Sequence, residues 1–162
     1  MSLSQLQHLE STWETGTQIG NSLFQSLAFS KAYSHYMNAM VVSEVLMKNI
    51  TTSRQHSLRV PAMYYTACVN LAHNYSRMQD NENAAAYFLY CTYNLKMLAD
   101  KPDTDLLLKQ TATVYWQKAV QVYREFADKT GTPIPADISE SETYVQLQKL
   151  KNLFTLPKEK MN

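Results

Sequence analysis

With 162 residues, 45% of them hydrophobic and 18% charged, the chain carries enough apolar material for one well-buried core and is too short for two. A formal charge of +1 supplies no long-range field to gather nucleic acid or an anionic membrane surface, so neither is expected as a partner. Three glycines exclude a fold made of tight turns or a glycine-rich phosphate cradle, and the apolar runs fall short of the ~20 residues of a membrane-spanning helix.

From Leu3 to about Phe29, Leu3, Leu6, Leu9, Trp13, Ile19, Leu23 and Leu27 recur at helical spacing, interrupted by Gly16 and Gly20, which predicts one long helix or two short ones. Ser30 is the expected cap of a second helix running to about Asn49, with Ala32, Tyr36, Ala39, Met40, Ser43 and Leu46 on one face. The polar stretch 50–59 reads as a connector, and Pro61 suits the first turn of a third helix reaching Met78. After the polar turn 79–83 a fourth helix is predicted to about Ala99, ended by Asp100, Lys101, Pro102 and Asp103. A fifth, about Thr104 to Lys129, is predicted to turn Leu107, Thr111, Val114, Tyr115, Ala119, Val122 and Phe126 inward and to close at Gly131. Ser139 and Glu142 form a capping box for a last helix to about Phe154, and 157–162 is expected to be a frayed tail. The expectation is a single all-α domain over 1–162 with about six helices.

Two stretches superimpose at a fixed offset. Ile19, Gly20, Leu23, Ala32, Tyr36 and Ala39 match Leu71, Ala72, Tyr75, Ala84, Phe88 and Cys91, each pair 52 residues apart, and Trp13 matches Tyr65. Small residues let two helix backbones approach while the large ones fill the flanks. Over about residues 13–123 this pattern resembles divergent tetratricopeptide repeats, and the chain as a whole resembles small, uncharacterised bacterial proteins of the same helical class. The resemblance implies two antiparallel helix hairpins with C-terminal capping helices. Two features depart from it: the offset is 52 rather than ~34 residues, and Glu44 and Lys96 stand where a helix-ending proline is usual. The fifth helix begins as a third copy with Ala112 and Tyr115 in register, and is expected to cap the array.

No constellation for catalysis stands out. His8, His35, His56 and His73 lie in separate segments without metal-ligand spacing, and Cys68 and Cys91 are not a CxxC pair but fall at core-facing repeat positions. Asp100, Asp103 and Asp105 mark a helix end and a helix start, where carboxylates suit the dipole, and the group lacks the glycine and glutamate of a calcium loop. No catalytic, cofactor or metal site is therefore expected. Without a secretory signal at the start, the chain is expected to be cytoplasmic with reduced thiols.

The repeat resemblance implies a concave groove lined by Thr17, Asn21, Phe24 and Gln25 from the first unit, Val69, Asn70, His73, Ser76 and Arg77 from the second, and Lys109 and Gln110 from the fifth helix. Asn21 and Asn70 coincide with the asparagines by which chaperone-binding repeat proteins grip a terminal carboxylate. Thr17, Leu106 and Gln110 stand where that grip needs lysine or arginine, and a neutral site pairs poorly with a desolvated carboxylate. The expected function is thus non-catalytic: an adaptor or chaperone-like module that lays a partner's peptide or helix against Asn21, Phe24, Gln25, Asn70, His73, Arg77 and Lys109. The alternative is a homodimer formed through the Leu3/Leu6/Leu9 stripe or the tyrosine-rich face, and an enzyme or small-ligand receptor comes last.

Overall fold

A computed structural model describes residues 1–50, 54–141, 145 and 149–150. The chain is all-α, with no strand among the described residues. Five long helices, α1 (Leu3–Gln25), α2 (Phe29–Lys48), α4 (Val60–Arg77), α5 (Asn81–Asp100) and α6 (Leu106–Thr130), are joined by two single turns, α3 (Arg54–Ser57) and α7 (Ala136–Ser139). Most of the predicted last helix, including Glu142 of its capping box, and the tail 157–162 lie outside the described residues.

Local chemistry sets most helix starts. Ser2 and Gln5 form a reciprocal capping box on α1, the Gln5 amide donating to Ser2 Oγ at 3.2 Å and the Ser2 amide to Gln5 Oε1 at 2.7 Å. Asp80 accepts from the Asn83 amide and Asp105 from that of Leu107, so each carboxylate also meets the positive end of its helix. Pro61 stands in the first turn of α4 as predicted, and Gly131, at φ 70°, closes α6 in the left-handed conformation. Ser30 does not cap α2. That helix begins at Phe29 without a side-chain cap, because the preceding turn already dictates its entry.

The 52-residue offset reappears in that turn. Leu27 and Gln79 both take left-handed φ, 62° and 63°. Around them the Ala28 amide donates to Leu23 O at 2.8 Å and Leu27 to Phe24 O at 3.0 Å, while Asp80 donates to Tyr75 O at 2.9 Å and Gln79 to Ser76 O at 3.0 Å. Both are Schellman turns with a non-glycine residue in the αL position, so α1/α2 and α4/α5 are helix hairpins joined by the same kind of turn. Gly16 and Gly20 do not split α1. Each costs about 1 kcal/mol of helix propensity against alanine, which close packing on α2 offsets.

Helix α4 lies at the centre, against α2 of the first hairpin and α5 of its own, with α6 closing the far side of α5. Ala32, Tyr36, Met40, Tyr64, Cys68, Leu71, Cys91, Leu95 and Ala119 form the middle of the core. One end is built on Leu6, Leu46, Val60, Met63, Leu98, Leu108 and Ala112, the other on Ala72, Ala84, Phe88, Val120, Tyr123 and Phe126. Both thiols are fully buried small hydrophobes, and burial pushes the Cys91 thiol up.

Three expectations change here. Ile19 is 40% exposed whereas its counterpart Leu71 is fully buried, because α4 is sandwiched and α1 is an outer helix. Leu6 is 5% exposed and belongs to the core, so Leu3, Leu6 and Leu9 do not form an outward stripe. In α6, Ala119 and Phe126 are buried as expected, but Leu107 and Val114 face solvent while Leu108, Ala112, Val120 and Tyr123 are buried, so the inward face is partly turned from the predicted one. Its register also differs. Ala112 packs in the cluster of Val60 and Met63, while Ala119 belongs to the cluster of Leu71.

Polar contacts join the hairpins. His56 Nδ1 lies 3.0 Å from Glu10, and Arg59 spans Glu10 and Glu14 at 3.4 Å each. Buried Asn74 donates to the carbonyl of Phe29 at 3.0 Å. Such half-exposed ion pairs contribute about 0–1 kcal/mol, so apolar packing carries the hairpin interface.

Candidate partner-binding groove

Residues three and four apart share a helix face, and this places Asn21, Phe24 and Gln25 together on α1 and Asn70, His73 and Arg77 together on α4. The two faces meet. Asn21, Phe24, Gln25, Tyr36, Asn70 and His73 line one pocket of about 120 Å³. Arg77 completes its rim, with its guanidinium 4.8 Å from the Phe29 ring centroid and 5.8 Å from that of Phe24. The Phe24 and Phe29 rings pack edge to face at 5.2 Å, so the arginine lies on a braced aromatic shelf.

Lys109 stands apart. It lies in the first turn of α6 and does not line this pocket. Thr17 turns into the protein, where it is buried, and not toward the groove.

Tyr36 is the lining residue that the amino-acid pattern hides. It reads as a core aromatic, and its ring is indeed buried, but the ring lies over Gly20, where a Cβ would come within 2.6 Å of two ring carbons. Absence of that Cβ lets the phenol reach across α1 and donate to Asn21 Oδ1 at 2.8 Å. With its oxygen occupied, the Asn21 amide presents its NH₂ donors to the pocket. The signal in the sequence was the glycine.

His73 is solvent-exposed along one side, while its ring meets that of Phe88 edge-on at 5.6 Å. Its pKa is lowered by desolvation against the helix interface and further by Lys129, with Glu125 opposing. The folded chain therefore resists protonating His73 where the unfolded chain takes the proton, near the ordinary value of about 6.5. This contribution leaves stability intact above that pH and lowers it as pH falls through and below it. Melting curves between pH 7 and pH 5 should show wild type losing stability more steeply than His73→Gln, and equal slopes would remove His73 from the account.

A volume of about 120 Å³ lies below the ~300–1,000 Å³ of small-ligand sites, and suits one side chain or chain end of something larger. Among the described residues no three His, Cys, Asp or Glu side chains come together to hold a metal, and no helix is long and apolar enough to cross a membrane.

Fold and site together define an all-α protein of paired helix hairpins with a shallow polar and aromatic groove between α1 and α4. Residues 11–113 match the family DUF2753, described as proteins of unknown function, and the chain belongs to that family. The match runs from within α1 through α5 to the first turns of α6. No curated protein and no solved structure matches the chain.

Proposed function

We propose that this protein is a non-catalytic, tetratricopeptide-like interaction module that holds a peptide segment of a partner protein in the α1/α4 groove. The observation that carries this reading is the convergence of Asn21, Phe24, Gln25, Asn70 and His73, from two hairpins, on one pocket too small for a metabolite. Phe24 supplies an apolar anchor, Arg77 supplies charge, and the two asparagines supply donors that fit peptide carbonyls. A neutral His73 at pH 7 accepts or donates without adding charge. Self-association is the second reading, and after the loss of the Leu6 stripe it rests on the outward Tyr90 and Tyr93 of α5.

The test compares proteins captured from native lysate by wild type and by an Asn70→Ala/Arg77→Glu variant. Both positions lie on the open face, so the variant should stay folded, and circular dichroism checks this. Partners lost with the variant support the groove, whereas an unchanged partner list from a folded variant overturns it.

A further inference from the structure

A second and larger recess lies on the other side of α4. Tyr64 and His73 are nine residues, two and a half turns, apart and so face opposite ways. Beyond Tyr64, residues from the C-terminal halves of α2 and α5 line a cleft of about 720 Å³ that is within the range of small-ligand sites.

Its chemistry is graded along its length. Tyr64, itself buried, lies beneath the floor, its hydroxyl accepting from Asn94 Nδ2 at 2.6 Å. Met47, Ile50, Met97 and Leu98 supply apolar walls. Met97 is 65% exposed, a flexible thioether without a packing partner on its outer side. Lys96 and Asp100 pair at 3.1 Å and cancel. Lys48 and Lys101 stand where α2 and α5 both stop, and neither has an ion-pair partner among the described residues. Two full charges there exceed the roughly half-unit negative charge of each helix end. Glu44 is one turn further in, so a second anionic group at that end would be repelled.

We propose that the α2/α5 cleft binds a free single-chain amphiphile with one anionic head, of the fatty-acid class, its carboxylate at Lys48 and Lys101 and its chain along Met47 and Met97. This site is independent of the peptide groove.

The experiment is titration calorimetry of the full chain with decanoate, octanoate, decanedioate and decyltrimethylammonium, each below its micelle concentration. Decanoate is expected to bind saturably at one per chain, and octanoate up to about fifteenfold more weakly, since a buried methylene is worth about fourfold. Decanedioate, opposed by Glu44, and the cation, opposed by the lysines, should each bind at least tenfold more weakly than decanoate. Met97→Glu and Lys48→Glu/Lys101→Glu, all at exposed positions, should each weaken decanoate at least tenfold, while Asn70→Ala/Arg77→Glu leaves it unchanged. Absence of saturable heat, equal binding of the cation, or decanoate affinity that neither cleft variant alters overturns the proposal.

Discussion

Replacing Phe88 with alanine should cost this protein about 3–5 kcal/mol, the range for removing a large aromatic from a core that cannot collapse around the gap. Phe88 is fully buried in α5 and holds its end of the molecule together. Its ring centroid lies 5.0 Å from Phe126 and 6.2 Å from Tyr123 on α6, and 5.6 Å from His73 on α4, so two neighbouring helices lose a common partner. Domains of this size have about 5–15 kcal/mol of stability in all, and each kcal/mol is worth about 2–4 °C in melting temperature, so a fall of about 10 °C is expected. Urea unfolding of the variant measures this, and a loss under about 1 kcal/mol would show that the site repacks. A second readout follows from the ring contact. With Phe88 gone, the His73 ring is better hydrated and the steepening of stability loss below about pH 6.5 should shrink.

Gly20→Ala should destabilise by up to about 2 kcal/mol even though alanine is the better helix former. Propensity favours alanine by about 1 kcal/mol. Against it, the new methyl would stand 2.6 Å from two ring carbons of Tyr36, and overpacking of this kind costs about 1–3 kcal/mol. The ring has little room to yield: it is buried, and its hydroxyl is tied to Asn21 at 2.8 Å. Gly20→Val, with two further methyl groups, should reach the upper end of that range. Gly16 is the control, since a Cβ there meets the His35 carbonyl at 3.0 Å and Ala39 at 3.6 Å, a tight contact but no overlap with a ring. Thermal melts of the three variants decide it: Gly20→Ala as stable as wild type would mean that Tyr36 moves freely. Because Tyr36 lines the groove, the same variant should also disturb partner capture.

Much of the backbone was legible before any coordinates. Helical spacing of apolar residues, the scarcity of glycine and the placement of Pro61, Asp80 and Gly131 locate the long helices to within a few residues, because these are local effects of propensity, capping and φ. The groove residues of the two hairpins were legible for a related reason. Spacings of three and four put Asn21, Phe24 and Gln25 on one helix face and Asn70, His73 and Arg77 on another, and the 52-residue offset implied that the faces sit alike. Where the reading of α6 departed, the missing information was which neighbour covers which side. Leu107 and Val114 fit a helical stripe as well as Leu108 and Ala112 do, and only the placement of α5 and α4 chooses between them.

By itself the sequence determined an all-α chain, its helix hairpins and the residue faces that their helices present, since all of these follow from interactions within a few turns of the chain. Tertiary structure alone decided that the Tyr36 hydroxyl passes Gly20 to reach Asn21, that Lys109 does not line the groove, and that the C-terminal ends of α2 and α5 border a cleft. Those outcomes depend on distances between helices far apart in sequence, which are set by how bulky side chains on three or four elements fill one shared volume.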